Sequence, residues 1–294
     1  MPFYPYTTYG QSSTATFLGD VASMKKTHFQ IALGDNFYFT GVTDVYDERF
    51  ESSFEDVYTA DALQTPWYIM AGNHDHFGNV AAQIAYSNHS QRWVFPASYY
   101  TVSYRFGKRN TTVDFIIIDT IVLCGNTRDV VNGDLIDLAL AESIDNPNNP
   151  SDPEAARVQW RWIEEQLSKS RANYLFVAGH YPVYSVSSHG PSDCLLERLQ
   201  PLLRKYRVSA YLSGHDHTLQ HLVEYYIPEN VSKKNEATRK IPLHYIVSGM
   251  GSRADNSLKH LGSVPPGSLL FKYSNSIYSI FYSIFHFQVF RFSD

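Results

Sequence analysis

Short apolar runs recur along the chain, and each ends at a glycine or a polar side chain. The runs are rich in Ile, Val, Tyr and Phe, residues that favour extended backbone. This pattern is typical of buried β-strands. The predicted strands are Phe29–Leu33, Trp67–Met70, Phe115–Ile118, Tyr174–Val177, Val208–Leu212 and His244–Val247.

Helical patterns lie between several of these runs. Pro153–Ser170 follows Asp152, a candidate N-cap, and begins with a proline, which is favoured at the first helical position. Gln11–Lys26 and Cys194–Tyr206 are also predicted helices, and we expect Pro201 to kink the second of these. Strands that alternate with helices predict a layered α/β fold, in which ligands gather beyond the carboxyl ends of the strands.

Two segments depart from this pattern. Arg128–Asp152 is predicted to be a long loop, because its second half, Glu142–Asp152, has little apolar content and contains two Asn-Pro steps. Ile277–Phe292 is rich in Ile, Phe and Tyr but is interrupted by polar residues, and it is shorter than the about 20 apolar residues of a membrane span. We expect a strand or an irregular tail there.

The composition narrows the class of partner. The chain has 294 residues, of which 44% are hydrophobic, and a net charge of −5, which fits a globular protein and argues against nucleic acid or an anionic membrane as partner. A phosphate substrate stays open, because a bound metal can be the largest local charge in a site. We expect one domain over residues 1–294 and a monomer, since no linker divides the motifs described below.

The cysteines and the N-glycosylation sequons weakly favour a protein of the secretory pathway. The two cysteines, Cys124 and Cys194, are too few for a disulfide scaffold. Asn88, Asn110 and Asn230 each begin a sequon that could carry an N-glycan in a secreted protein. No signal peptide is recognisable at the start of this sequence.

Four of the predicted strands end in residues that can bind metal. Singly, such an aspartate is more often part of a turn and such a histidine part of a core, but their conjunction favours a metal site. His215 and His217 lie two residues apart and could reach two different ions, while a carboxylate such as Asp35 could bridge ions about 3.5–4 Å apart. The motifs are Gly34-Asp35-Asn36-Phe37-Tyr38, Gly72-Asn73-His74-Asp75, Gly179-His180 and Gly214-His215-Asp216-His217.

These motifs resemble those of the metallophosphoesterase superfamily, and Tyr38 narrows the resemblance to the purple acid phosphatases, in particular their small tartrate-resistant type. The similar segments read LGDNFYFTGV, AGNHDHFGNVAAQIAYS, AGHYPV and YLSGHDHTLQ, and the resemblance runs from about residue 28 to about residue 273. It implies an α/β calcineurin-like metallophosphoesterase fold, a layered β-sandwich flanked by helices. It also implies an acid phosphatase that hydrolyses phosphate monoesters.

The resemblance assigns a dinuclear centre of Fe(III) and a divalent ion, which is Fe(II), Zn or Mn. Asp35 corresponds to the bridging ligand, and Tyr38 and His217 correspond to ligands of the ferric ion, which turns a bound water into a hydroxide nucleophile. The ligands implied for the divalent ion are Asn73, His180 and His215.

The resemblance also implies roles outside the metal ligands. His74 and His189 correspond to histidines that contact the phosphate and protonate the leaving alcohol. Cys124 and Cys194 correspond to a disulfide pair. Arg128–Asp152 corresponds to a loop that covers the site and represses activity until proteases cut it. Full-length members of the family are secreted or lysosomal.

The sequence departs from the family pattern at both ends. The family's first motif, GD-x-GG at the end of the first strand, supplies an aspartate to the ferric ion, and no such motif occurs in this sequence. Gly19-Asp20 lies in a predicted helix and is a poor substitute. The pattern therefore predicts a chain without that strand and ligand, and hence an unpaired edge or a gap in a sheet. Ser274–Asp294 matches nothing in the family.

Three functions follow from these observations. The leading prediction is an acid phosphatase. The alternative is a truncated, catalytically impaired secreted glycoprotein that retains the scaffold, which the missing first motif favours. A phosphodiesterase or nuclease on the same scaffold is disfavoured by Tyr38, by the His-Gly-Pro sequence at His189 and by the acidic balance.

Overall fold

The computed structural model describes residues 6–127, 147, 149–228 and 240–273. Within these ranges strands and helices alternate along most of the chain. The helices are α1 (Tyr9–Lys25), α2 (Val80–Tyr86), α3 (Thr120–Cys124), α4 (Pro153–Lys169) and α5 (Asp193–Lys205). The strands are β1 (Gln30–Ala32), β2 (Trp67–Ile69), β3 (Trp93–Val94), β4 (Tyr100–Phe106), β5 (Thr111–Ile117), β6 (Tyr174–Ala178), β7 (Ala210–Ser213), β8 (Leu219–Tyr226), β9 (Ile241–Ser248) and β10 (Leu269–Tyr273).

All six predicted runs overlap strands, and the three predicted helices are present within two residues at each end. The side chain of Asp152 accepts hydrogen bonds from the backbone N–H groups of Glu154 and Ala155, as expected of an N-cap. Helix α5 continues through Pro201.

The strands form two sheets. The large sheet has the order β10-β8-β9-β7-β6-β5-β4, in which β5, β6, β7 and β9 are parallel and the outer strands are antiparallel to their neighbours. The small sheet is parallel, with the order β1-β2-β3. Parallel strands present their carboxyl ends at the same edge, and this edge carries the motifs.

Aromatic side chains join the two sheets face to face. Phe29, just before β1, stacks on Tyr104 of β4 with ring centroids 4.6 Å apart and meets Phe115 of β5 edge-on at 5.6 Å. On the opposite face of the large sheet, α3, α4 and α5 bury residues such as Trp160 and Leu199 against β5 and β6. The fold is thus a β-sandwich with flanking helices, and the predicted fold class is confirmed.

Strand β1 lies at an open edge of the small sheet. Gln30 N–H donates to Pro66 at 2.9 Å and the Ala32 carbonyl accepts from Met70 at 3.3 Å, so both face β2. Strand backbone alternates, and the peptide groups of Ile31 therefore face the other edge, where the described residues provide no partner strand. A cavity of about 460 Å³ is lined by Ala32 and Leu33 at the end of β1. The expected gap in the sheet stays a prediction.

Two further expectations concern the chain as a whole. Among the described residues, no helix is both long and apolar enough to cross a bilayer. The single domain over residues 1–294 stays a prediction.

Cys124 and Cys194 form a disulfide, as the resemblance implied. The bond joins α3 to α5, its Cα atoms lie 5.8 Å apart, and it closes a loop of 70 residues. The disulfide therefore links the C-terminal end of α3 to the N-terminal end of α5.

We expect the double substitution Cys124→Ala and Cys194→Ala to lower the free energy of unfolding by about 4 kcal/mol, because a loop of this length gains much entropy in the unfolded chain when it is released. Urea unfolding monitored by tryptophan fluorescence measures the change, and reduced wild-type protein serves as the control. A loss below about 1 kcal/mol in both samples would contradict a stabilising role for the disulfide.

Candidate metal centre

The turn after β1 places Asp35 at the centre of the site. Gly34 and Asp35 both adopt left-handed backbone conformations, with φ of 89° and 54°. The carboxylate oxygen Oδ1 of Asp35 accepts a hydrogen bond from the backbone N–H of His74 at 3.0 Å. Gly72 lies so close that a Cβ at this position would collide with the side chain and backbone of Asp35. The absence of a side chain at Gly72 therefore allows the two loops to meet.

The buried carboxylate of Asp75 fastens these two loops together. It accepts hydrogen bonds from the backbone N–H groups of Gly72 at 2.8 Å, Asn36 at 3.1 Å and Phe37 at 3.3 Å, and from the side chains of Asn36 and Gln83. The sequence motif contained Asp75 but indicated no role for it. Through these hydrogen bonds Asp75 fixes the relative positions of the loops that carry Asp35 and Asn73.

Asn73, His180 and His215 converge on Asp35. Asn73 Oδ1 lies 3.0 Å from His180 Nε2 and 3.1 Å from His215 Nδ1, and His180 Nε2 lies 3.2 Å from Asp35 Oδ2. Ligand atoms of Asp35, His180 and His215 all lie within 4.8 Å of one another. The structure thus brings Asp35, which is predicted to bridge two ions, close to the three residues predicted to bind a divalent ion.

The hydrogen bond and charge environment of His180 fit a cation. His180 Nδ1 lies 2.7 Å from the Leu33 carbonyl, which only accepts, so Nδ1 carries a proton and the neutral ring has a lone pair at Nε2. That lone pair would face the oxygens of Asn73 and Asp35. Burial acts to lower the pKa of His180, but the charge of Asp35 raises the pKa above its ordinary value, so this position favours a positive charge. A bound metal ion can supply that charge in place of a proton.

A second group of donors lies on the other side of Asp35. The Tyr38 hydroxyl lies 3.1 Å from Asp35 Oδ2, to which it donates, and 3.0 Å from His217 Nε2. The described residues therefore offer two donor clusters that share Asp35. Tyr38 and His217, the residues predicted for a ferric ion, form this second cluster.

Burial and nearby charges set the protonation of these groups. Burial lowers the pKa of His217 to about 4, and it takes the pKa of His215 well below its ordinary value, so both rings have a lone pair available for a metal at neutral pH. Burial acts to raise the pKa of Asp35, but the positive charges of His180 and His74 hold it well below its usual range. Burial raises the pKa of Tyr38 well above its ordinary value.

The two histidines predicted to contact phosphate flank the cluster. His74 Nδ1 lies 2.6 Å from the Phe39 carbonyl, to which it donates, and its ring lies 4.5 Å from that of Tyr38. The ring of His189 lies 4.1 Å from that of His215. The hydrogen bond to Phe39 uses Nδ1 of His74, so Nε2 is the nitrogen that can contact a ligand. His189 lies beside His215, one of the residues assigned to the divalent ion.

Several positioning residues escaped the sequence analysis. Thr127 Oγ1 accepts from Asn73 Nδ2 at 3.1 Å, which turns Oδ1 of Asn73 toward the histidines. Asp216 Oδ1 accepts from the backbone N–H of His189 at 3.0 Å. The Asp255 carboxylate accepts from the backbone and hydroxyl of Ser188 at 3.0 Å and 2.6 Å. Asp216 lies within a quoted motif, whereas Thr127 and Asp255 are far from their partners in sequence and carry no local signal.

Comparison with known proteins identifies the family. The family of calcineurin-like phosphoesterases matches residues 9–219. The tartrate-resistant acid phosphatase type 5 of Oryctolagus cuniculus is 43% identical over 274 residues, which span 93% of this chain and 76% of that protein. The chain belongs to the purple acid phosphatase family. The predicted membership and the prediction of a phosphatase enzyme are confirmed.

Solved structures share the fold. GAP50, the anchor in the inner membrane complex of Plasmodium, has a TM-score of 0.69 at 22% identity and covers 92% of this chain and 75% of that one. A purple acid phosphatase from yellow lupin (Lupinus luteus) seeds has a TM-score of 0.55 at 17% identity and covers 90% of this chain and 43% of that one. At these identities the likeness concerns the fold alone. Family membership and the cluster of Asp35, His180 and His215 together support a metal-dependent acid phosphatase.

Some of the remaining predicted features lie within the residues that the structure describes, and the others lie outside them. Asp20 is exposed on α1 and does not line the cavity beside the site. Asn88 and Asn110 are exposed. The third sequon at Asn230, most of the loop Arg128–Asp152 and the tail Ser274–Asp294 lie outside the described residues.

We expect Gly72→Ala to weaken binding of Zn²⁺ at least tenfold, because the new Cβ must displace Asp35 from the cluster. Calorimetric titration of the metal-free protein measures the affinity. Gly262→Ala is the matched control, since a Cβ there meets no atom within 4 Å. Equal affinity in Gly72→Ala and wild type would show that Asp35 tolerates the displacement or does not bind the ion.

Proposed function

We propose that the chain is an acid phosphatase that hydrolyses phosphate monoesters at a dinuclear centre of Fe(III) and a divalent ion. The observation that supports this most strongly is the sharing of Asp35 between two donor clusters. Both clusters contact the same carboxylate oxygen, Oδ2, so this atom lies between the two groups of donors, as a ligand shared by two ions would. Hard anionic and imidazole donors suit iron, and the amide and imidazoles of the other cluster suit Fe(II), Zn or Mn.

The proposed ligand set follows the two clusters. Asp35, Tyr38 and His217 would hold the ferric ion, for which Tyr38 must give up its phenolic proton. Asp35, Asn73, His180 and His215 would hold the divalent ion. When bound, the two ions supply Lewis-acid activation of the attacking water and neutralise charge on the phosphate.

His74 and His189 would handle the phosphate itself. Because Nδ1 of His74 is held by the Phe39 carbonyl, Nε2 is the atom that can contact a phosphate oxygen or carry a proton. His189 would contact the phosphate from beside His215, held there by Asp216. One of the two histidines would protonate the leaving alcohol.

We also propose a secreted or lysosomal monomer with glycans at Asn88, Asn110 and Asn230. The disulfide between Cys124 and Cys194 supports an oxidising compartment, and the exposure of Asn88 and Asn110 is compatible with glycan attachment.

The central test is Asp35→Asn, measured by metal analysis and by hydrolysis of p-nitrophenyl phosphate after reconstitution with iron and zinc. We expect both metals to fall together, and kcat/KM to fall at least about 100-fold, because one carboxylate serves both ions. Asp61→Asn, an exposed aspartate outside the site, is the control. Full occupancy of one metal would mean that Asp35 is a terminal ligand, and unchanged metal content and turnover would contradict the proposed site.

The catalytically impaired scaffold is the second candidate function. The small set of donors around Tyr38 favours it, because the described residues assigned to the ferric ion are only Asp35, Tyr38 and His217. Loss of one hard anionic ligand weakens binding of a trivalent ion more than binding of a divalent one.

We expect a chain extended by an N-terminal strand that ends in GD-x-GG to bind more iron and to turn over faster than the chain of 294 residues. Iron content and p-nitrophenyl phosphate hydrolysis at acidic pH, measured side by side, test this. Equal values in the two proteins would contradict the impaired scaffold and leave the phosphatase.

A further inference from the structure

Two arginines line the cavity beside the metal centre, and their surroundings differ. Arg49 donates to the Asp47 carboxylate through Nε at 2.9 Å and Nη2 at 2.6 Å. Arg253 is exposed and makes no hydrogen bond or ion pair with any residue that the structure describes. The charge of Arg49 is therefore already compensated, and the guanidinium of Arg253 is available to a ligand.

The loop that carries Arg253 is fixed to the site. The backbone N–H of Asp255 donates to the His217 carbonyl at 2.7 Å, and its carboxylate binds Ser188, next to His189. Lys272 Nζ donates to the Asp255 carbonyl at 3.2 Å. Three separate elements thus anchor the residue two positions after Arg253, so the backbone of this loop is fixed relative to the proposed metal ligands.

Arg253 lies on the side of the centre that holds the second donor cluster. Asp35, Tyr38, His217 and Arg253 all line the cavity. An anion that approaches this side of the centre would meet Arg253.

We propose that Arg253 forms an anion subsite that binds a second acidic group of the substrate, so that the enzyme prefers phosphate monoesters with a carboxylate or a further phosphate near the scissile group. This inference rests on the proposed function. The cavity of Arg253 contains the proposed metal ligands Asp35, Tyr38 and His217 but not His74 and His189, which would contact the reacting phosphate, so Arg253 faces the centre from another side. Guanidinium groups bind carboxylate and phosphate through paired hydrogen bonds.

The first experiment compares 2-phosphoglycolate with ethyl phosphate, which has the same length but no carboxylate. We expect Arg253→Gln to lower the ratio of their kcat/KM values about tenfold, through the KM for 2-phosphoglycolate, because one charge-assisted contact is lost. Arg253→Lys should retain part of the preference. Arg253→Glu should reverse it in favour of phosphoethanolamine, whose second group is a cation.

Arg49→Gln is the matched control, since it removes the same charge from the same cavity but from an arginine already paired with Asp47. It should leave the ratio unchanged. A readout without turnover is calorimetric binding of inorganic phosphate and of pyrophosphate to the metal-loaded protein. We expect Arg253→Gln to weaken pyrophosphate about tenfold and phosphate far less.

The outcomes separate the two proposals. If the wild type neither hydrolyses the monoesters nor binds phosphate, the proposed function fails, and the anion subsite fails with it. If the wild type is active or binds phosphate but the ratios are the same in wild type and Arg253→Gln, the subsite alone is wrong. An equal fall in both ratios for Arg49→Gln and Arg253→Gln would show a general effect of charge and would also overturn a specific subsite.

Discussion

The whole centre depends on one buried carboxylate that is not itself a proposed ligand. Asp75 accepts hydrogen bonds from the loop after β1 and from the loop after β2, and so it sets the separation of Asp35 and Asn73. Burial raises the pKa of Asp75, and the charge of Asp35 raises it further, while the surrounding N–H groups oppose the rise. Hydrogen bonding thus offsets part of the effect of burial on this carboxylate.

The site lies where the two sheets meet. Asp35, Tyr38, Asn73 and His74 follow strands of the small sheet, whereas His180, His215 and His217 follow β6 and β7 of the large sheet. Neither sheet carries a complete set of donors. The close packing of Phe29 against Tyr104 and Phe115 therefore contributes to the geometry of the candidate metal centre, although Tyr104 and Phe115 supply no donor to it.

The sequence predicted the parts of this molecule that have a local signature. Buried parallel strands such as β6 and β7 are short apolar runs, and their polar ends follow directly, so the ligand candidates could be found without a structure. The outer strands were missed because their signature is weaker; in β4, for example, exposed and half-buried residues alternate after Tyr100. The predicted acceptors and donors did assemble, but no pattern could show that Thr127 orients Asn73 or that Asp255 holds the loop of His189. The left-handed backbone at His215, with φ of 64°, likewise depends on the assembled site and not on the residue type.

The hydrogen bond between His180 and the Leu33 carbonyl has a consequence for the stability of the whole sandwich. Leu33 directly follows β1, and His180 follows β6, so this hydrogen bond connects the two sheets at the candidate metal centre. An ion held by Asp35, Asn73, His180 and His215 would bind residues of both sheets and so link the sheets to each other. Its binding free energy then adds to the free energy that keeps the small sheet docked, in proportion to the logarithm of the metal concentration over its dissociation constant. The supply of metal in the compartment where the chain folds thereby becomes a determinant of how firmly the two halves of the sandwich hold together.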